Sequence, residues 1–364
     1  MPDAYIQSND LGWQFDELPE CIPEIERLLR SGMYVNGEYV RNFEIDFAKY
    51  VDSQFAVGVN SGTSALHNIL ATLGVGPGDE VIVPSLTFIA TISAVLLTGA
   101  TPVLVDVDEQ GLMDYKNMES GLSRKTKAII PVHLWGQAIK LEELRNFYAE
   151  SIHIIEDCSQ AQGARHNPLT PVGSVGVANA WSLYPGKNLG GIGEGGVITT
   201  QDSALFEGFK EFRNWGSNSN YIHKDFGLNY RMDELNALVL RLKLAKLQEW
   251  NSKRLEISKR YRSELNSIRI VNQESIFDVY HQFVVLHSKR DQLKEFLHSR
   301  GISSQIHYPI PNHQVNFLKS NCRMLNEYPN SEHLASNILS LPIHPGLTPR
   351  EIERVIDAVN DFTK

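Results

Sequence analysis

Short apolar runs rich in β-branched residues recur at nearly even intervals through the first half of the chain. Five predicted strands are Phe55–Val59, Val81–Val83, Val103–Val105, Ala128–Pro131 and Ile152–Ile155. Segments that fit helices lie between them, including Ser64–Leu73, Ile89–Leu97 and Leu141–Tyr148. Strands alternating with helices of this length indicate an α/β fold, in which a mostly parallel sheet is covered by helices on both faces.

The pattern changes after Asn229. A long, charged helical pattern runs from Met232 to about Leu265, with apolar residues at roughly three-to-four spacing. A strand, a helix, a strand and a helix are then predicted at Phe283–Leu286, Gln292–Ser299, Ile302–Ile306 and Thr348–Phe362. We therefore expect a large domain over residues 1–245, with an N-terminal arm, and a smaller C-terminal α+β domain over residues 246–364.

Composition narrows the class of protein. The 364 residues are 42% hydrophobic and 21% charged, which is ordinary for a globular protein. The 34 basic and 43 acidic side chains give a formal net charge of −9. Nucleic acids and anionic membranes both select basic surfaces, so neither is expected as a main partner.

Cysteine usage and the N-terminus point to a compartment. Cys21, Cys158 and Cys322 stand apart, with no C-x-x-C pair and no histidine at zinc spacing. Such a sparse, odd set fits a reducing environment, and we expect no metal site. The first residues, Met1 to Ala4, lack the basic start and apolar core of a signal peptide, so we expect a cytoplasmic protein.

One stretch could be mistaken for a membrane span. Val81 to Val105 carries no charge over 25 residues, long enough to cross a bilayer as a helix. Prolines, glycine and threonines interrupt it, however, including Pro84, Gly99 and Pro102. We interpret it as a strand, a loop, a helix and a strand within a buried α/β layer.

The first candidate for chemistry is Lys187. It lies in a loop between a Pro-Gly pair and an Asn-Leu-Gly-Gly turn, among glycine and aromatic residues with almost no other charge. Such surroundings desolvate an ammonium group and lower its pKa from about 10.4, as a lysine nucleophile requires. The alternative is an ordinary solvated loop lysine.

The same loop contains the pattern G-x-G-x-x-G, at Gly191–Gly196. A dinucleotide-binding fingerprint must follow a strand and begin a helix. Here a strand-like segment, Val197–Thr200, follows instead. The context therefore excludes a nicotinamide-binding motif.

Three more features lie where predicted strands end. Asp157 could bind a metal, orient a histidine, pair with a cationic ring nitrogen, or simply cap a helix. Ser61 to Thr63 begin a helix, where free N–H groups and hydroxyls could bind an anion, unless they serve only as the N-cap. Phe88 could cover a flat ring or pack in the core. A reactive lysine, a carboxylate, a phosphate site and an aromatic ring together are what a pyridoxal phosphate site needs.

The chain resembles the DegT/DnrJ/EryC1/StrS family of sugar aminotransferases nearly from end to end. The matching segments are N-S-G-T-S-A-L (60–66), G-P-G-D-E-V-I-V-P-S-L-T-F-I-A-T (76–91), P-V-H-L-W-G-Q (131–137), E-D-C-S-Q-A-Q-G-A (156–164), S-L-Y-P-G-K-N-L-G (182–190), G-L-N-Y-R-M-D-E-L (227–235), H-Y-P-I-P-N-H-Q (307–314) and L-P-I-H-P-G-L-T (341–348). The resemblance implies the fold type I of aspartate aminotransferase and a pyridoxal 5'-phosphate cofactor, with pyridoxamine 5'-phosphate as the intermediate form.

The resemblance also implies roles for individual residues. Lys187 would form the Schiff base with the cofactor and then act as the acid and base. The other cofactor-binding residues would be Gly62, Thr63 and Ser182 at the phosphate, Phe88 stacked on the ring, Asp157 at the ring nitrogen, Gln160 near the ring hydroxyl, and Asn229 reaching the phosphate of the neighbouring subunit. A full site would thus require a homodimer. Tyr34, His307, Tyr308 and His313 are similar to family segments near the sugar, with packing as the alternative role.

The implied activity is transfer of an amino group from L-glutamate, or from glutamine, to a keto sugar carried on a nucleotide. The motifs around Lys187 and His133 are more similar to members that aminate C-3 of a 6-deoxy keto sugar than to the C-4 enzymes. Cys158-Ser159, Glu194 and Asn236 depart from the commoner family residues, which leaves substrate detail open.

Three alternatives stay open on the same scaffold. A sugar dehydratase would carry histidine in place of Lys187, a cyclitol aminotransferase would share every cofactor residue, and a regulatory member would lack catalysis. The intact pair of Lys187 and Asp157 favours the aminotransferase.

Overall fold

A seven-stranded sheet forms the centre of the molecule. The computed structural model describes residues 5–140, 152–219 and 221–364. The strands, numbered in chain order, are β1 (Phe55–Val59), β2 (Glu80–Pro84), β3 (Thr101–Val105), β4 (Thr126–Ile129), β5 (His153–Asp157), β8 (Ala178–Ser182) and β9 (Gly196–Thr200). Their order in the sheet is β1-β9-β8-β5-β4-β2-β3, and only β9 runs antiparallel to its neighbours.

Helices cover both faces of this sheet because its strands carry apolar residues on both faces. On β2, Val81 and Val83 pack with one apolar cluster, whereas Ile82 between them packs with another on the opposite face. The helices are Cys21–Ser31, Glu38–Tyr50, Gly62–Thr72, Ala90–Leu97, Tyr115–Ser120, Ser203–Phe212, Glu234–Leu244, Leu247–Glu264, Arg290–Ser299, Pro329–Asn337 and Pro349–Thr363, with short 3-10 turns at Gly12–Phe15, Leu134–Gly136, Asn312–Gln314 and Asn316–Leu318. This layered α/β arrangement is the predicted fold class.

The C-terminal part contains a separate, antiparallel sheet. It consists of β12 (Arg269–Ile270), β13 (Phe283–Leu286) and β14 (Ile338–Leu341), in that order. Two-stranded sheets also form from β6 (Arg165–Asn167) with β7 (Thr170–Pro171), and from β10 (Ser217–Ser219) with β11 (Ile222–His223). The division into domains at residues 245 and 246 stays a prediction.

Most predicted elements are present, with ends shifted by at most two residues, but two predictions are wrong. The long helix from Met232 is two helices, Glu234–Leu244 and Leu247–Glu264. Neither proline nor glycine marks the break between them, so the sequence does not signal it. The segment Ile302–Ile306 forms no strand, because Ile302 pairs only with Ile6, and Gln305 only with Ser340. The predicted helix at residues 141–148 lies outside the described residues.

The uncharged stretch from Val81 has the predicted structure. It forms β2, a loop, the helix Ala90–Leu97 and β3. Among the described residues, none of the helices has the length and apolar character needed to cross a membrane.

A buried carboxylate ties the helix Glu38–Tyr50 to the rest of the fold. Glu234 is completely buried at the start of its own helix. Its oxygens accept hydrogen bonds from the backbone N–H groups of Gly37 (2.7 Å) and Tyr39 (2.8 Å). These are N–H groups that a helix N-terminus leaves without internal partners, and the positive end of the helix dipole favours the carboxylate.

We predict that Glu234→Ala lowers the free energy of unfolding by about 3 kcal/mol, since buried N–H groups lose a charged acceptor. Urea denaturation measures the change. Glu38→Ala removes an exposed carboxylate from the first turn of the same helix and is the control, with an expected change of about 0.5 kcal/mol or less. Equal losses in the two variants would contradict the prediction.

Candidate active site

A cavity of about 680 Å³ opens at the carboxyl ends of the parallel strands. This edge of an α/β sheet is where ligands usually bind. The predicted site residues that line the cavity are Gly62, Thr63, Phe88, Asp157, Gln160, Ser182, Lys187, His307 and Tyr308. Residues more than 200 positions apart in the chain therefore meet at one place, although their individual roles stay predictions.

Lys187 lies in the tight loop that follows β8. Its backbone N–H donates to Tyr184 O (2.8 Å), and a Cβ at Gly190 would lie only 2.2 Å from Pro185 O, so the turn requires glycine there. Burial lowers the pKa of the Lys187 ammonium to about 8, and the negative charge of Asp157 partly opposes this. In the described part of the chain, no carboxylate forms an ion pair with it. The expectation of a desolvated lysine agrees with this geometry.

Asp157 ends β5 and is only 4% exposed. Thr91 Oγ donates to one carboxylate oxygen (2.9 Å), and the backbone N–H of Ser159 donates to the other (3.1 Å). The backbone N–H of His133 donates to Asp157 O (3.1 Å). The carboxylate is therefore oriented by fixed donors and can accept a further hydrogen bond from a cationic group in the cavity.

The start of the helix Gly62–Thr72 is the candidate site for an anion. Ser61 Oγ accepts from the N–H of Ser64 (3.0 Å), as an N-cap does. No described group accepts a hydrogen bond from the N–H of Gly62 or of Thr63, and both residues line the cavity. A Cβ at Gly62 would lie 2.7 Å from Ser182 Cβ, so glycine lets the helix start approach β8 closely. Free N–H groups at the positive end of a helix favour a phosphate.

Gln160, Tyr308 and Phe88 form a connected wall. Gln160 accepts from the backbone N–H of Trp135 (2.7 Å) and donates to the Tyr308 hydroxyl (3.2 Å). The rings of Tyr308 and Phe88 lie 5.8 Å apart at 36°. Phe88 is 54% exposed, which is unusual for a phenylalanine. Its ring is therefore not packed in the core and is available to stack on a flat ligand.

Three predicted site residues are not brought to this cavity. Tyr34 is half-exposed and its hydroxyl donates to Leu29 O, at the end of the helix Cys21–Ser31. His313 bonds to Ser85 Oγ (2.6 Å) and to Glu332 (3.0 Å), beside a separate cavity. These two contacts fit the alternative role of packing, and the contact of His313 with the sugar stays a prediction.

Asn229, the third, lies with its side chain exposed. Its backbone oxygen accepts from Asn60, the residue before the anion site. In a single chain it does not line the cavity, which is compatible with the predicted action across a dimer.

Sequence reasoning missed several contacts of the site. Thr91 holds Asp157, Ser8 and Asn9 line the cavity, and the Asn9 amide donates to Gly186 O (3.1 Å), beside Lys187. Thr91 and Trp135 lie within segments that match the family, but the match gives neither residue a role. Nothing in the local pattern marks these residues, because their partners lie far away in the chain.

One cluster of side chains has the composition of a metal site, although the sequence predicts none. His133, Glu156 and His166 are brought together, and their potential ligand atoms lie within 4.8 Å of one another. Glu156 accepts from His133 Nε2 (2.9 Å), and His133 Nδ1 accepts from the N–H of Ile139 (3.1 Å). Because Nδ1 accepts, Nε2 carries the hydrogen and has no lone pair for a metal. We interpret the cluster as a hydrogen-bonded support for a buried carboxylate.

The G-x-G-x-x-G segment has no nucleotide-binding geometry. The strand β9 follows it, as the sequence predicted. The Asn236 side chain accepts from the N–H of Ile192 (3.0 Å) and donates to Glu194 O (2.8 Å), which holds the loop.

A lysine with a lowered pKa, a buried strand-end carboxylate and a helix start with free N–H groups, all at the carboxyl edge of this sheet, are what an aminotransferase of fold type I requires. Comparison with known proteins identifies the family. The model of the DegT/DnrJ/EryC1/StrS aminotransferase family matches residues 16–360, and the chain belongs to this family. The predicted family, fold class and enzyme class are confirmed.

Individual relatives are similar to this chain over nearly its whole length. The chain is 40% identical over 362 residues to dTDP-3-amino-3,4,6-trideoxy-alpha-D-glucose transaminase of Streptomyces venezuelae, covering 98% of this chain and 95% of that one. A crystal structure of S. venezuelae DesV in complex with a ketimine intermediate superimposes with a TM-score of 0.95, at 40% identity, over 100% of this chain and 99% of that one. NtdA of Bacillus subtilis with bound cofactor PMP gives a TM-score of 0.89 at 27% identity, over 96% and 82% of the two chains.

The lowered pKa predicts how the rate of acylation of Lys187 depends on pH. In cofactor-free protein, acylation of Lys187 should rise as the pH passes through about 8 and then level off, because only the neutral amine reacts. Timed labelling followed by peptide mass mapping measures this, with the exposed Lys319 as an internal reference. A rate that continues to rise above pH 10 would show that the amine is fully solvated.

Proposed function

We propose that this aminotransferase converts a nucleotide-linked keto sugar into an amino sugar, with L-glutamate as the amino donor. The acceptor is a 3-keto-6-deoxyhexose, in preference to a 4-keto sugar. The observation that carries the proposal is the convergence of Lys187, Asp157 and the free N–H groups of Gly62 and Thr63 on one cavity. The relative from S. venezuelae, named for a 3-amino sugar on dTDP, supports the substrate class.

The cofactor is pyridoxal 5'-phosphate, with pyridoxamine 5'-phosphate as the intermediate form. The residues of the cavity fit it: an amine for its aldehyde, a carboxylate for its ring nitrogen, and helix N–H groups for its phosphate. The solved relative that carries PMP supports this assignment. When bound, the cofactor draws electrons from the reacting carbon and carries the amino group between the two half-reactions.

Lys187 is the proton carrier of the reaction. With a pKa of about 8, about one amine in ten is neutral at pH 7, against about one in 2,500 for an ordinary lysine. A group whose pKa lies near the working pH can both take and return a proton, and Nζ of Lys187 does so at the substrate carbon. The lysine also argues against the dehydratase alternative, which would need histidine at this position.

Asp157 would pair with the protonated ring nitrogen of the cofactor. Its oxygens are directed by Thr91 and by the N–H of Ser159. A carboxylate kept in this buried position favours a protonated partner, so it would keep the ring nitrogen in its cationic form. Gln160, fixed by Trp135 and Tyr308, would lie at the ring hydroxyl.

The complete site belongs to a homodimer in this proposal. Asn229 would contribute to the phosphate site of the neighbouring subunit, and its exposed side chain supports that role. The proposal also includes the two domains, 1–245 and 246–364, and a cytoplasmic location, which fits the three free cysteines.

The substrate assignment predicts a product. Incubation of the holoenzyme with L-glutamate and dTDP-linked 3-keto-6-deoxyhexose should yield the amino sugar, seen by mass spectrometry, whereas Lys187→Ala should yield none. Borohydride reduction should fix the cofactor to the peptide that contains Lys187. A cofactor found on another peptide, or product made by Lys187→Ala, would refute the role of this lysine.

The shared site predicts complementation. Homodimers that carry Lys187→Ala should yield no product. Homodimers that carry Asn229→Ala should bind the cofactor about tenfold more weakly, because one or two hydrogen bonds to the phosphate are lost. Co-refolded hybrid dimers should recover activity, since one of their two sites then combines an intact Lys187 with an intact Asn229 from the other chain. No recovery would mean that Asn229 acts within its own chain.

A further inference from the structure

His281 lines the cavity, and the proposed reaction does not use it. It lies in the loop just before β13 and is only 8% exposed, with its ring at the cavity that contains Lys187. Nδ1 is bonded to Asn188 Oδ1 (3.1 Å). Among the described residues, no group is bonded to the other ring nitrogen, Nε2.

Asn188, the residue after Lys187, determines which nitrogen of His281 carries the hydrogen. Asn188 is 3% exposed, and its Nδ2 donates to Val279 O and to Asn251 Oδ1, both at 2.9 Å. A backbone carbonyl can only accept, so the atom facing it must be the NH₂ group. The remaining atom, Oδ1, must therefore accept from His281 Nδ1–H, which leaves Nε2 with a lone pair.

The orientation of Asn251 supports the same assignment. Its own Nδ2 donates to Gln162 O (2.9 Å), so its Oδ1 is the atom that faces Asn188. The chain of hydrogen bonds from Gln162 through Asn251 and Asn188 to His281 then has one consistent direction. Reversal of Asn188 would place its oxygen against the carbonyl oxygen of Val279, and reversal of Asn251 would place its oxygen against the carbonyl oxygen of Gln162.

The surroundings keep His281 uncharged. Burial, and then the positive charges of Lys187 and Arg254 together with His307, lower the pKa of His281 well below its ordinary value. Burial and Lys187 also lower the pKa of His307, to about 4. Two neutral imidazoles therefore flank the lysine.

The loop that carries His281 is held against the 3-10 turn Leu134–Gly136 by backbone hydrogen bonds. Val279 N–H donates to Gly136 O (3.0 Å), and Gln282 N–H donates to Trp135 O (3.2 Å). A Cβ at Gly136 would lie 2.6 Å from the backbone nitrogen of His281, so only glycine permits this approach. The ring is thus positioned before any ligand binds.

We propose that His281 binds the sugar substrate, with Nε2 as an acceptor for a sugar hydroxyl, and that it disfavours a carboxylate at the same position. Both substrates bring their reacting group to Lys187, so the groups around that centre distinguish them. A hydroxyl can donate to the lone pair of Nε2, whereas a carboxylate of glutamate offers only lone pairs of its own. This inference rests on the proposed function and deepens it.

The test compares the two half-reactions of the full-length enzyme separately, by the change in cofactor absorbance. The probes are L-glutamate and a dTDP-linked 3-amino-3,6-dideoxyhexose. His281→Leu should lower kcat/KM for the amino sugar about tenfold, as the loss of one hydrogen bond to a buried acceptor predicts, and change the value for glutamate less than about twofold. Equal losses with both probes, or a loss with glutamate alone, would overturn the proposal.

A conservative variant separates binding from packing. His281→Gln retains both an N–H for Asn188 and an oxygen acceptor, so it should recover the amino sugar reaction to within about threefold of the wild type. If His281→Gln is as impaired as His281→Leu, the acceptor role is wrong. Thermal melting of both variants identifies a general loss of folding.

The tautomer can be measured without any turnover. In full-length protein labelled with ¹⁵N-histidine, the His281 signal, assigned by its loss in His281→Gln, should show a protonated Nδ1 and a bare Nε2 at pH 7. The opposite tautomer or an imidazolium would overturn the proposal. If neither L-glutamate nor the amino sugar changes the cofactor absorbance of the wild type, the proposed function fails and the sugar contact fails with it. If the absorbance responds normally but His281 has the wrong tautomer, only the inference about His281 is refuted.

Discussion

The site depends on one electrostatic balance at Lys187, between burial, which destabilises its ammonium form, and the negative charge of Asp157, which stabilises it. Burial lowers the pKa of Lys187 to about 8, and Asp157 limits how far it falls. Without the carboxylate, the pKa of Lys187 would fall further, and less of the ammonium form would be available to return a proton. With full solvation, it would stay protonated and unreactive. The balance between the two determines whether this cavity can support amino transfer.

The strand β5 separates two buried carboxylates by the alternation of its side chains. Asp157 faces the cavity, whereas its neighbour Glu156 accepts from His133 and from the backbone N–H groups of Gly173, Val175 and Gly176. One carboxylate thus has all its hydrogen bonds within the protein, and the other keeps capacity for a ligand. A one-residue shift of this strand would exchange their positions.

Trp135 joins the two sides of the cavity. Its N–H donates to Gln160, its indole N–H donates to His307 O (3.0 Å), and its carbonyl accepts from Gln282. Its backbone adopts φ of +60°, which is uncommon outside glycine. Gln160, His307 and Gln282, which all line the cavity, are therefore positioned by one residue, and a change at Trp135 would move all three.

The sequence by itself determined the alternation of strands and helices, because the order of elements along the chain and the side-chain period are local properties. The position of Asp157 and Ser182 at strand ends, and of Gly62 at the start of a helix, follows from that alternation. The sequence also marked Lys187, since the loop composition around it is unusual. Only the tertiary structure decided that Thr91 holds Asp157, 66 positions away, and that Asn188 orients His281, 93 positions away. Hydrogen bonds of that range leave no periodic trace in the chain, because they depend on how separate elements pack and not on the neighbours of either residue.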